Sequence, residues 1–450
     1  MNQFECAYFV GIGGIGMSAI ARFFNDLGWN VAGYDKTETP LTKMLVTEGI
    51  DVHFDDLKGE IPAGFRDNEK CLVVFTPAIP NDLGELVFFR ENDFTLYKRA
   101  EVLGMITRNS KAIGVAGTHG KTTTSTMLAY ILDQSKLKCN AFLGGISTNF
   151  NSNYISSKES EYTIIEADEF DRSFLQLRPF SSILTSTDAD HLDIYGEPDD
   201  LLAGFQNYVD LIDSNGILIR HINANVQTEN AVTYAIDKNA DYIGSNLKFE
   251  NGRFYFDMKT KDSTWKNIEL GIAGIHNVEN AIACIAMSIY LGISEPEIRQ
   301  ALASFQGVKR RFEYQINEAS LVYIDDYAHH PTEIEALISS IRLLYPNKRI
   351  TGIFQPHLYS RTRDFFSDFA EQLSRLDEVI LLPIYPAREE PIEGITSDAL
   401  LLAIQSANKL LLSPEGAIEH CSSRGSDVYL TIGAGDIDKI IDSIKNTLTT

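Results

Sequence analysis

The chain has 450 residues, of which 62 are Asp or Glu and 39 are Lys or Arg, giving a formal charge of −23. Such an excess of acid repels nucleic acid and anionic membranes, so an anionic ligand must be held by local features of a site. The hydrophobic fraction is 44%, which excludes a disordered or fibrous chain. Length and composition together predict a globular protein of about three domains.

The five cysteines are widely separated and form no CxxC motif. This spacing argues against a disulfide framework and against a zinc site. The N-terminus opens with a strand pattern rather than a signal peptide, and no apolar run reaches the roughly 18 residues that a membrane span needs. We therefore expect a reduced, cytoplasmic protein with no membrane insertion and no nucleic acid partner.

Strand and helix patterns alternate along three segments, residues 1–106, 107–309 and 310–450. Strands are predicted at residues 6–10, 29–33, 71–75, 111–116, 162–166, 182–185, 321–324, 349–354, 378–382 and 429–432. Helices are predicted after the first glycine turn, after the strand at 111–116, and at residues 277–290, 331–344 and 362–375. The stretch 216–272 is predicted to form small antiparallel strands. Alternating strands and helices indicate parallel sheets, so we predict an α/β fold in three domains.

The strand predicted at 111–116 runs into a phosphate-binding loop that opens a helix. The loop residues are Gly117, Thr118, His119, Gly120, Lys121, Thr122 and Thr123. Backbone N–H groups and a helix N-terminus would meet the ATP phosphates, with Lys121 on the β and γ phosphates and Thr122 on Mg²⁺. Val115 stands where the common pattern has its first glycine, so this is a shortened variant of the loop.

A second glycine turn follows the first strand. It contains Gly11, Gly13, Gly14, Ile15 and Gly16, and Asp35 lies about twenty residues further on. The pattern allows a diphosphate to approach a helix N-terminus, with an acid near a ribose or base. The glycine turn has three interpretations. It binds a dinucleotide, it binds another diphosphate such as a UDP-sugar, or it binds no ligand at all.

Glu166 ends a predicted strand, where a carboxylate near a phosphate loop suits Mg²⁺. The acids that follow it, Asp168, Glu169 and Asp171, are interpreted as a surface loop without a chemical role. His191 is flanked by aspartates. It could bind a second Mg²⁺ or be an ordinary loop histidine.

Polar residues also cluster around residues 276 and 310. Asn277 and Asn280 share one helix face and could reach an adenine edge, while His276 is expected to cap the helix. Arg311, beside Arg310, could reach a phosphoryl group or form an interdomain salt bridge.

Two polar loops, residues 325–330 and 355–363, follow neighbouring predicted strands in the third segment. Loops at the carboxyl ends of neighbouring strands in an α/β sheet face one crevice. We therefore expect a site there.

Together these motifs resemble the Mur ligase family over nearly the whole chain. The resemblance rests on GIGGIGMSAIA at 11–21, GTHGKTTT at 117–124, EADE at 166–169, DHLD at 190–193, HNVEN at 276–280, RRFE at 310–313, DDYAHHPTE at 325–333 and FQPHLYSRTR at 354–363. It implies a Rossmann-like UDP-sugar domain (1–106), a P-loop-type central ATPase domain (107–309) and a Rossmann-like C-terminal domain for the amino acid (310–450).

The resemblance also implies an activity. ATP and Mg²⁺ would serve to join L-alanine to the lactyl carboxylate of UDP-N-acetylmuramate through an acyl phosphate, in peptidoglycan precursor synthesis. The alternative is addition of a recycled tripeptide to the same sugar, and we expect a monomer or weak homodimer.

The resemblance assigns roles to individual residues. The catalytic set is Lys121, Glu166, His191, Arg311 and Arg361, and the metal ligands are Thr122, Glu166 and His191. The ATP-binding set is Gly117, Thr118, His119, Gly120, Lys121, Thr122, Thr123, His276, Asn280 and Arg311. The substrate-binding set is Gly11, Gly13, Gly14, Ile15, Gly16, Asp35, Tyr327, His329, His357 and Arg361, with Tyr327 and His329 bordering the alanine pocket.

Two departures from the family pattern stand out. Relatives commonly carry Arg where this chain has Leu358, so one cationic substrate contact is missing or replaced, and EADEFD replaces EADESD. The GIGGIGM form of the first turn favours L-alanine over the tripeptide. Rival classes are an NAD-dependent oxidoreductase, which leaves the GKT loop unexplained, a nucleic-acid-dependent ATPase, which the acidity disfavours, and a non-enzymatic nucleotide switch.

Overall fold

The computed structural model describes residues 3–188, 195, 197–250, 253–387 and 389–450. The chain divides into two compact units. Unit 1 comprises Met1–Leu247, Tyr255–Gly271 and Glu279–Gln306, and unit 2 comprises Lys248–Phe254, Ile272–Val278 and Gly307–Thr450.

The first sheet belongs to unit 1. Its strands are β1 Cys6–Val10, β2 Asn30–Tyr34, β3 Asp51–His53, β4 Cys71–Phe75 and β5 Leu96–Lys98. They lie in the order β3-β2-β1-β4-β5, and neighbouring strands are parallel. The accompanying helices are α1 Ile15–Asp26, α2 Pro40–Thr47, α3 Gly84–Glu91 and α4 Arg99–Thr107, with a 3₁₀ turn at Ala63–Phe65. Because the strand order reverses between β1 and β4, a crevice opens at their carboxyl ends, where the first glycine turn lies.

The second sheet has ten strands among the described residues. They are β6 Lys111–Ala116, β7 Asn140–Ser147, β8 Ser152–Ile155, β9 Tyr162–Glu166, β10 Ser181–Leu184, β11 Leu218–His221, β12 Ala231–Ile236, β13 Tyr242–Glu250, β14 Arg253–Lys259 and β15 Thr264–Leu270. Their order is β15-β14-β13-β12-β11-β10-β6-β9-β7-β8. The helices are α5 Lys121–Gln134, α6 Pro198–Val209, α7 Ile275–Tyr290 and α8 Glu295–Ser304, with a 3₁₀ segment at Phe170–Gln176. β6 pairs in parallel with β9 and β10, so the loop after β6 lies beside the ends of both.

The expectation of antiparallel strands in the stretch 216–272 is wrong for β11, β12 and β13. β10 pairs with β11, β11 with β12, and β12 with β13, all in parallel. Residues 222–230 and 237–241 carry the chain back along the sheet before the next strand begins, so each new strand runs in the same direction as the one before.

The third sheet lies in unit 2. Its strands are β16 Glu313–Asn317, β17 Val322–Asp326, β18 Ile350–Phe354, β19 Glu378–Leu381, β20 Asn408–Leu411 and β21 Val428–Ile432, in the order β16-β17-β21-β18-β19-β20. Only β16 and β17 pair antiparallel among these described strands. The helices are α9 Pro331–Leu344, α10 Tyr359–Asp364, α11 Phe366–Leu373, α12 Ser397–Ala403, α13 Pro414–Cys421 and α14 Ile441–Thr449, with a 3₁₀ segment at Asp436–Ile440. α10 and α11 replace the single helix predicted at 362–375, because the chain leaves helical geometry at Phe365 (φ −113°, ψ 24°).

A buried polar network binds α1 to the second sheet within unit 1. The amide nitrogen of Asn153, in β8, donates to the Ile15 carbonyl at 2.5 Å and to Ser18 Oγ at 2.9 Å. The Arg22 guanidinium contacts the amide oxygen of Asn153 and pairs with Glu48 at 2.6 Å. The helix that follows the first glycine turn is therefore fixed to the second sheet.

All five cysteines are buried free thiols, as core residues are. Among the described residues, no helix is both long and apolar enough to cross a bilayer.

Candidate functional site

The phosphate loop between β6 and α5 depends on two glycines. Gly117 has φ +126° and Gly120 has φ +79°, a region that residues with side chains rarely adopt. A Cβ at Gly117 would overlap the hydroxyl of Thr185, and one at Gly120 would lie 2.8 Å from Asn280 Oδ1. Conformation and packing both require glycine here, and Asn280 is brought to the loop.

The residues after β10 brace this loop. Thr118 donates its hydroxyl to the Asp188 carbonyl at 2.8 Å, and the His119 N–H donates to Ser186 Oγ at 3.0 Å. Thr185 donates to the His119 carbonyl at 2.5 Å. The loop is therefore held in shape by the protein itself, as a preorganised phosphate site requires.

Lys121 lies at the first turn of α5 and points back over the loop. Its Nζ donates to the carbonyls of Gly117 at 2.7 Å and Thr118 at 3.2 Å, and to Glu169 Oε1 at 2.8 Å. Burial alone would lower the pKa of Lys121, but Glu169 and the neighbouring carboxylates raise it overall. The ammonium is therefore held in its charged form.

Glu169 corrects an expectation from the sequence, because it is fully buried rather than part of a surface acidic loop. The 3₁₀ segment that follows it turns through left-handed conformations at Asp171 and Arg172. This turn exposes Asp171 and directs Glu169 inward to Lys121.

Thr122 and Glu166 place two oxygen atoms side by side next to the loop. Thr122 donates to one oxygen of Glu166 at 3.1 Å, and the Gly144 N–H donates to the other at 3.1 Å. Among the described residues, no three His, Cys, Asp or Glu side chains gather around a potential ion. A hydroxyl and a carboxylate fit Mg²⁺, which usually takes its remaining ligands from phosphate and water. His191 lies outside the described residues.

Helix α7 begins at Ile275, so His276 lies in its first turn and does not cap it, contrary to expectation. The capping position, residue 274, falls two residues earlier than the motif suggested. The side-chain amide of Asn277 donates to the Ala273 carbonyl at 2.5 Å, which occupies it within its own turn.

The first glycine turn follows β1 at the crevice of the first sheet. Gly11 has φ +94°, and a Cβ there would lie 2.5 Å from the Thr76 side chain. The Gly13 N–H donates to Asp35 Oδ2 at 2.8 Å, so Asp35 closes the turn. Such a turn lets a diphosphate approach the N-terminus of α1.

A cavity of about 280 Å³ lies between this turn and Glu166, the carboxylate beside the phosphate loop. Gly14, Ile15 and Gly16 line this cavity together with Glu166. Arg99 also lines the cavity, with Nη1 2.9 Å from the position that a Cβ on Gly16 would take. Its guanidinium lies 3.7 Å from the Asp168 carboxylate.

Sequence reasoning missed Arg99. The signal was available, since this arginine follows a strand directly and opens a helix at the sheet edge that carries the glycine turn. It gives the cavity a cationic wall.

Asp325 and Asp326 end β17 and lie inside the strand, whereas the sequence placed them in the loop after it. Asp325 pairs with Arg310 at 3.1 Å, and Asp326 accepts the N–H groups of Phe312 at 2.7 Å and Ala328 at 2.8 Å. Burial raises the pKa of Asp326 to about 6. These acids anchor the loops on either side of β16 and β17 in unit 2.

Tyr327, His329 and His357 form an aromatic cluster in unit 2. The guanidinium carbons of Arg310 and Arg311 lie 5.2 and 5.0 Å from the Tyr327 ring centroid. His329 Nδ1 lies 3.0 Å from the Tyr327 carbonyl and 3.2 Å from Glu333. Burial, with Arg361 and Arg311 nearby, lowers the pKa of His329 to about 4 although Glu333 opposes this.

The ring centroid of His357 lies 6.1 Å from that of His329. It stacks on Tyr385 at 5.6 Å and contacts Arg361 at 3.5 Å. Burial and Arg361 lower the pKa of His357 to about 4. Leu358 adopts φ +69°, and its N–H donates to the Tyr385 carbonyl at 2.9 Å.

Tyr385 and Glu333 were not singled out from the sequence. Tyr385 joins the aromatic cluster through a β-bridge to His357, from which it is distant along the chain. Glu333 belongs to a capping box at α9, and its carboxylate also accepts the His329 N–H at 2.9 Å.

Family models match the chain in three consecutive stretches. The Mur ligase family catalytic domain matches residues 7–111, the Mur ligase middle domain matches 115–288, and the Mur ligase glutamate ligase domain matches 310–435. The chain belongs to the Mur ligase family and is therefore an ATP-dependent ligase with a mixed α/β fold.

Individual relatives and solved structures show which members of the family this chain is similar to. The UDP-N-acetylmuramate–L-alanine ligase of Cytophaga hutchinsonii is 47% identical over 99% of this chain and 97% of its own length. That of Porphyromonas gingivalis is 48% identical over 98% of this chain and 99% of its own. The solved UDP-N-acetylmuramate-alanine ligase of Thermotoga maritima has a TM-score of 0.82 at 27% identity, covering 99% of both chains. A murein peptide ligase of Psychrobacter arcticus shares the fold, with a TM-score of 0.71 at 23% identity.

Proposed function

We propose that this chain joins L-alanine to the lactyl carboxylate of UDP-N-acetylmuramate, with ATP and Mg²⁺, in peptidoglycan precursor synthesis. The observation that carries the proposal is the cavity that holds the first glycine turn and Arg99 beside Glu166. A diphosphate at that turn would leave the attached sugar directed along the cavity toward the phosphate loop. Two relatives that are 47% and 48% identical and carry this activity in their names support the same substrates.

The chemistry has two steps. An oxygen of the lactyl carboxylate bonds to the γ-phosphorus as the bond to ADP breaks, and the alanine nitrogen then attacks the acyl carbon, expels phosphate and loses a proton. Lys121 and the N–H groups of the loop would neutralise charge on the moving phosphoryl group. Mg²⁺ bound at Thr122 and Glu166 would add a further positive charge there.

The aromatic cluster of unit 2 would border the site for a small amino acid. His329 and His357 are uncharged near pH 7, because their pKa values are about 4, while Arg311 and Arg361 can meet a carboxylate. Leu358 itself offers no cationic contact. The positive charge of the two arginines would favour the uncharged form of the amine, which is the form that attacks the acyl phosphate.

Further features are part of the same proposal. We propose domain boundaries near residues 106 and 309, consistent with the breaks between the three matched stretches. A monomer or weak homodimer, a cytoplasmic location, and a second Mg²⁺ ligand at His191 stay predictions.

The decisive experiment measures phosphate release with UDP-N-acetylmuramate, ATP and Mg²⁺, adding L-alanine, L-serine, glycine or the recycled tripeptide in turn. We expect the highest kcat/KM with L-alanine. A reaction without the UDP-sugar serves as the control. Preference for the tripeptide would move the assignment to the alternative substrate, and phosphate release that no amino acid changes would refute ligation.

A further inference from the structure

Glu169 is a buried acid to which the proposed reaction assigns no part. Its side chain is 0% exposed and lies 2.8 Å from Lys121 Nζ, whose side chain is 13% exposed. Its backbone is fixed as well, because the Tyr195 hydroxyl donates to the Glu169 carbonyl at 2.7 Å and the Arg172 N–H donates at 2.9 Å. A carboxylate held so firmly against the loop lysine calls for a function.

The three acceptors of Lys121 are not equivalent. Gly117 and Glu169 accept at 2.7 and 2.8 Å, while the Thr118 carbonyl accepts at 3.2 Å. An ammonium has three N–H donors, so contact with a phosphate oxygen requires the exchange of one of these bonds. The bond to Thr118 is the longest, and it has a neutral acceptor, so it is the weakest of the three.

We propose that Glu169 is a positioning residue for phosphoryl transfer. It keeps Lys121 Nζ above the loop while the Thr118 contact is exchanged for a phosphate oxygen. The proposal rests on the proposed function, in which Lys121 binds the ATP phosphates. Without the Glu169 charge, Lys121 would be drawn toward Glu166 and Asp168, which also act on it electrostatically.

The test compares Glu169→Gln with Asp171→Asn, a change of carboxylate to amide in the same segment. Asp171 is half-exposed, pairs with Lys98 at the surface and has φ +53°, which asparagine also tolerates. We expect Glu169→Gln to lower kcat by ~100-fold, because misplacing a catalytic group by about an ångström costs that much. KM for UDP-N-acetylmuramate should stay unchanged in both variants, and Asp171→Asn should keep the wild-type kcat. Glu169→Asp should restore part of the loss.

Binding measurements separate this proposal from the proposed function. Calorimetry with a non-hydrolysable ATP analogue should show binding weakened by roughly 10-fold in Glu169→Gln, the loss expected for one charge-assisted hydrogen bond. UDP-sugar binding in the same variant should match the wild type. A wild-type kcat in Glu169→Gln, or a parallel loss of UDP-sugar binding that Asp171→Asn shares, would overturn the positioning role. If the wild type itself releases no phosphate with any amino acid, the proposed function fails, while the analogue titration still decides how Glu169 acts on the lysine.

Discussion

The phosphate loop of unit 1 and the aromatic cluster of unit 2 set the charge of their buried ionisable groups in opposite ways. At the loop, buried Glu169 raises the pKa of Lys121 and keeps the ammonium charged. In the aromatic cluster, burial lowers the pKa values of His329 and His357 to about 4, so both imidazoles are neutral near pH 7. The two sites reach opposite charge states because three carboxylates outweigh burial at Lys121, whereas burial together with Arg361 and Arg311 outweighs the single carboxylate of Glu333 at His329.

This difference matches the two halves of the proposed reaction. Phosphoryl transfer builds up negative charge and needs fixed positive groups that require no rearrangement. Amine addition needs an uncharged nucleophile, and neutral aromatic walls do not compete with it for the proton. The contrast can be tested one residue at a time.

The largest effect should come from Lys121→Ala, which removes the fixed charge of unit 1. We expect kcat to fall on the order of 10³-fold, as for loss of a key charge-stabilising donor. Binding of UDP-N-acetylmuramate, measured by calorimetry, should be retained because the first glycine turn is untouched. Phosphate release at the wild-type rate would show that the loop lysine has no part in the chemistry.

Arg99→Ala tests whether the positive charge of Arg99 binds the UDP-sugar in the cavity of unit 1. We expect KM for the UDP-sugar to rise by roughly 10-fold, the loss of one charge-assisted hydrogen bond, with KM for ATP unchanged. Lys98→Ala, at the neighbouring exposed position, is the matched control. Equal changes in the two variants would remove Arg99 from the binding site.

Tyr327→Ala tests the aromatic cluster of unit 2 as the border of the alanine site. Both Arg310 and Arg311 approach the ring, so its loss should remove a contact that helps to position their guanidinium groups. We expect KM for L-alanine to rise by about fivefold, in line with one or two cation–π contacts. Kinetics with L-alanine and L-serine provide the measurement, and unchanged affinity and selectivity would contradict the pocket assignment.

The smallest effect should be the pH response of His329. Its pKa is about 4 in the folded chain and 6.5 in the unfolded chain, so between these values the unfolded chain binds more protons. The stability that His329 contributes is therefore present above pH 6.5 and lost as the pH falls toward 4. Nitrogen-15 shifts of labelled histidine should show no titration of His329 between pH 8 and 5. A midpoint near 6.5 would mean that the imidazole is not buried as described.

The sequence correctly predicted those strands and helices whose bounds are set by neighbouring residues along the chain. The strands Cys6–Val10, Cys71–Phe75 and Lys111–Ala116 are confirmed to the residue, because each is an apolar run with clear polar or glycine boundaries. The three-domain α/β class and the family resemblance are confirmed as well. Helix α9 was also predicted at its observed bounds, since proline marks its first turn.

Other features depend on contacts that are distant along the chain. The inward direction of Glu169 follows from the left-handed turn at Asp171 and Arg172, which no local pattern announces. Tyr385 joins the aromatic cluster through its pairing with His357. Parallel pairing of β11 and β12 likewise requires knowing where the chain returns. The roles assigned to the predicted site residues stay predictions until the variants above are measured.

The side-chain amide of Asn153 has a consequence for how the protein unfolds. Through it, the helix after the first glycine turn and a strand of the second sheet share buried hydrogen bonds, with Arg22 closing the same network. If the hydrogen bonds on one side of this network break, polar groups on the other side stay buried without a partner and away from water. On heating, the first and second sheets should therefore melt in a single cooperative transition, although they match two separate family domains.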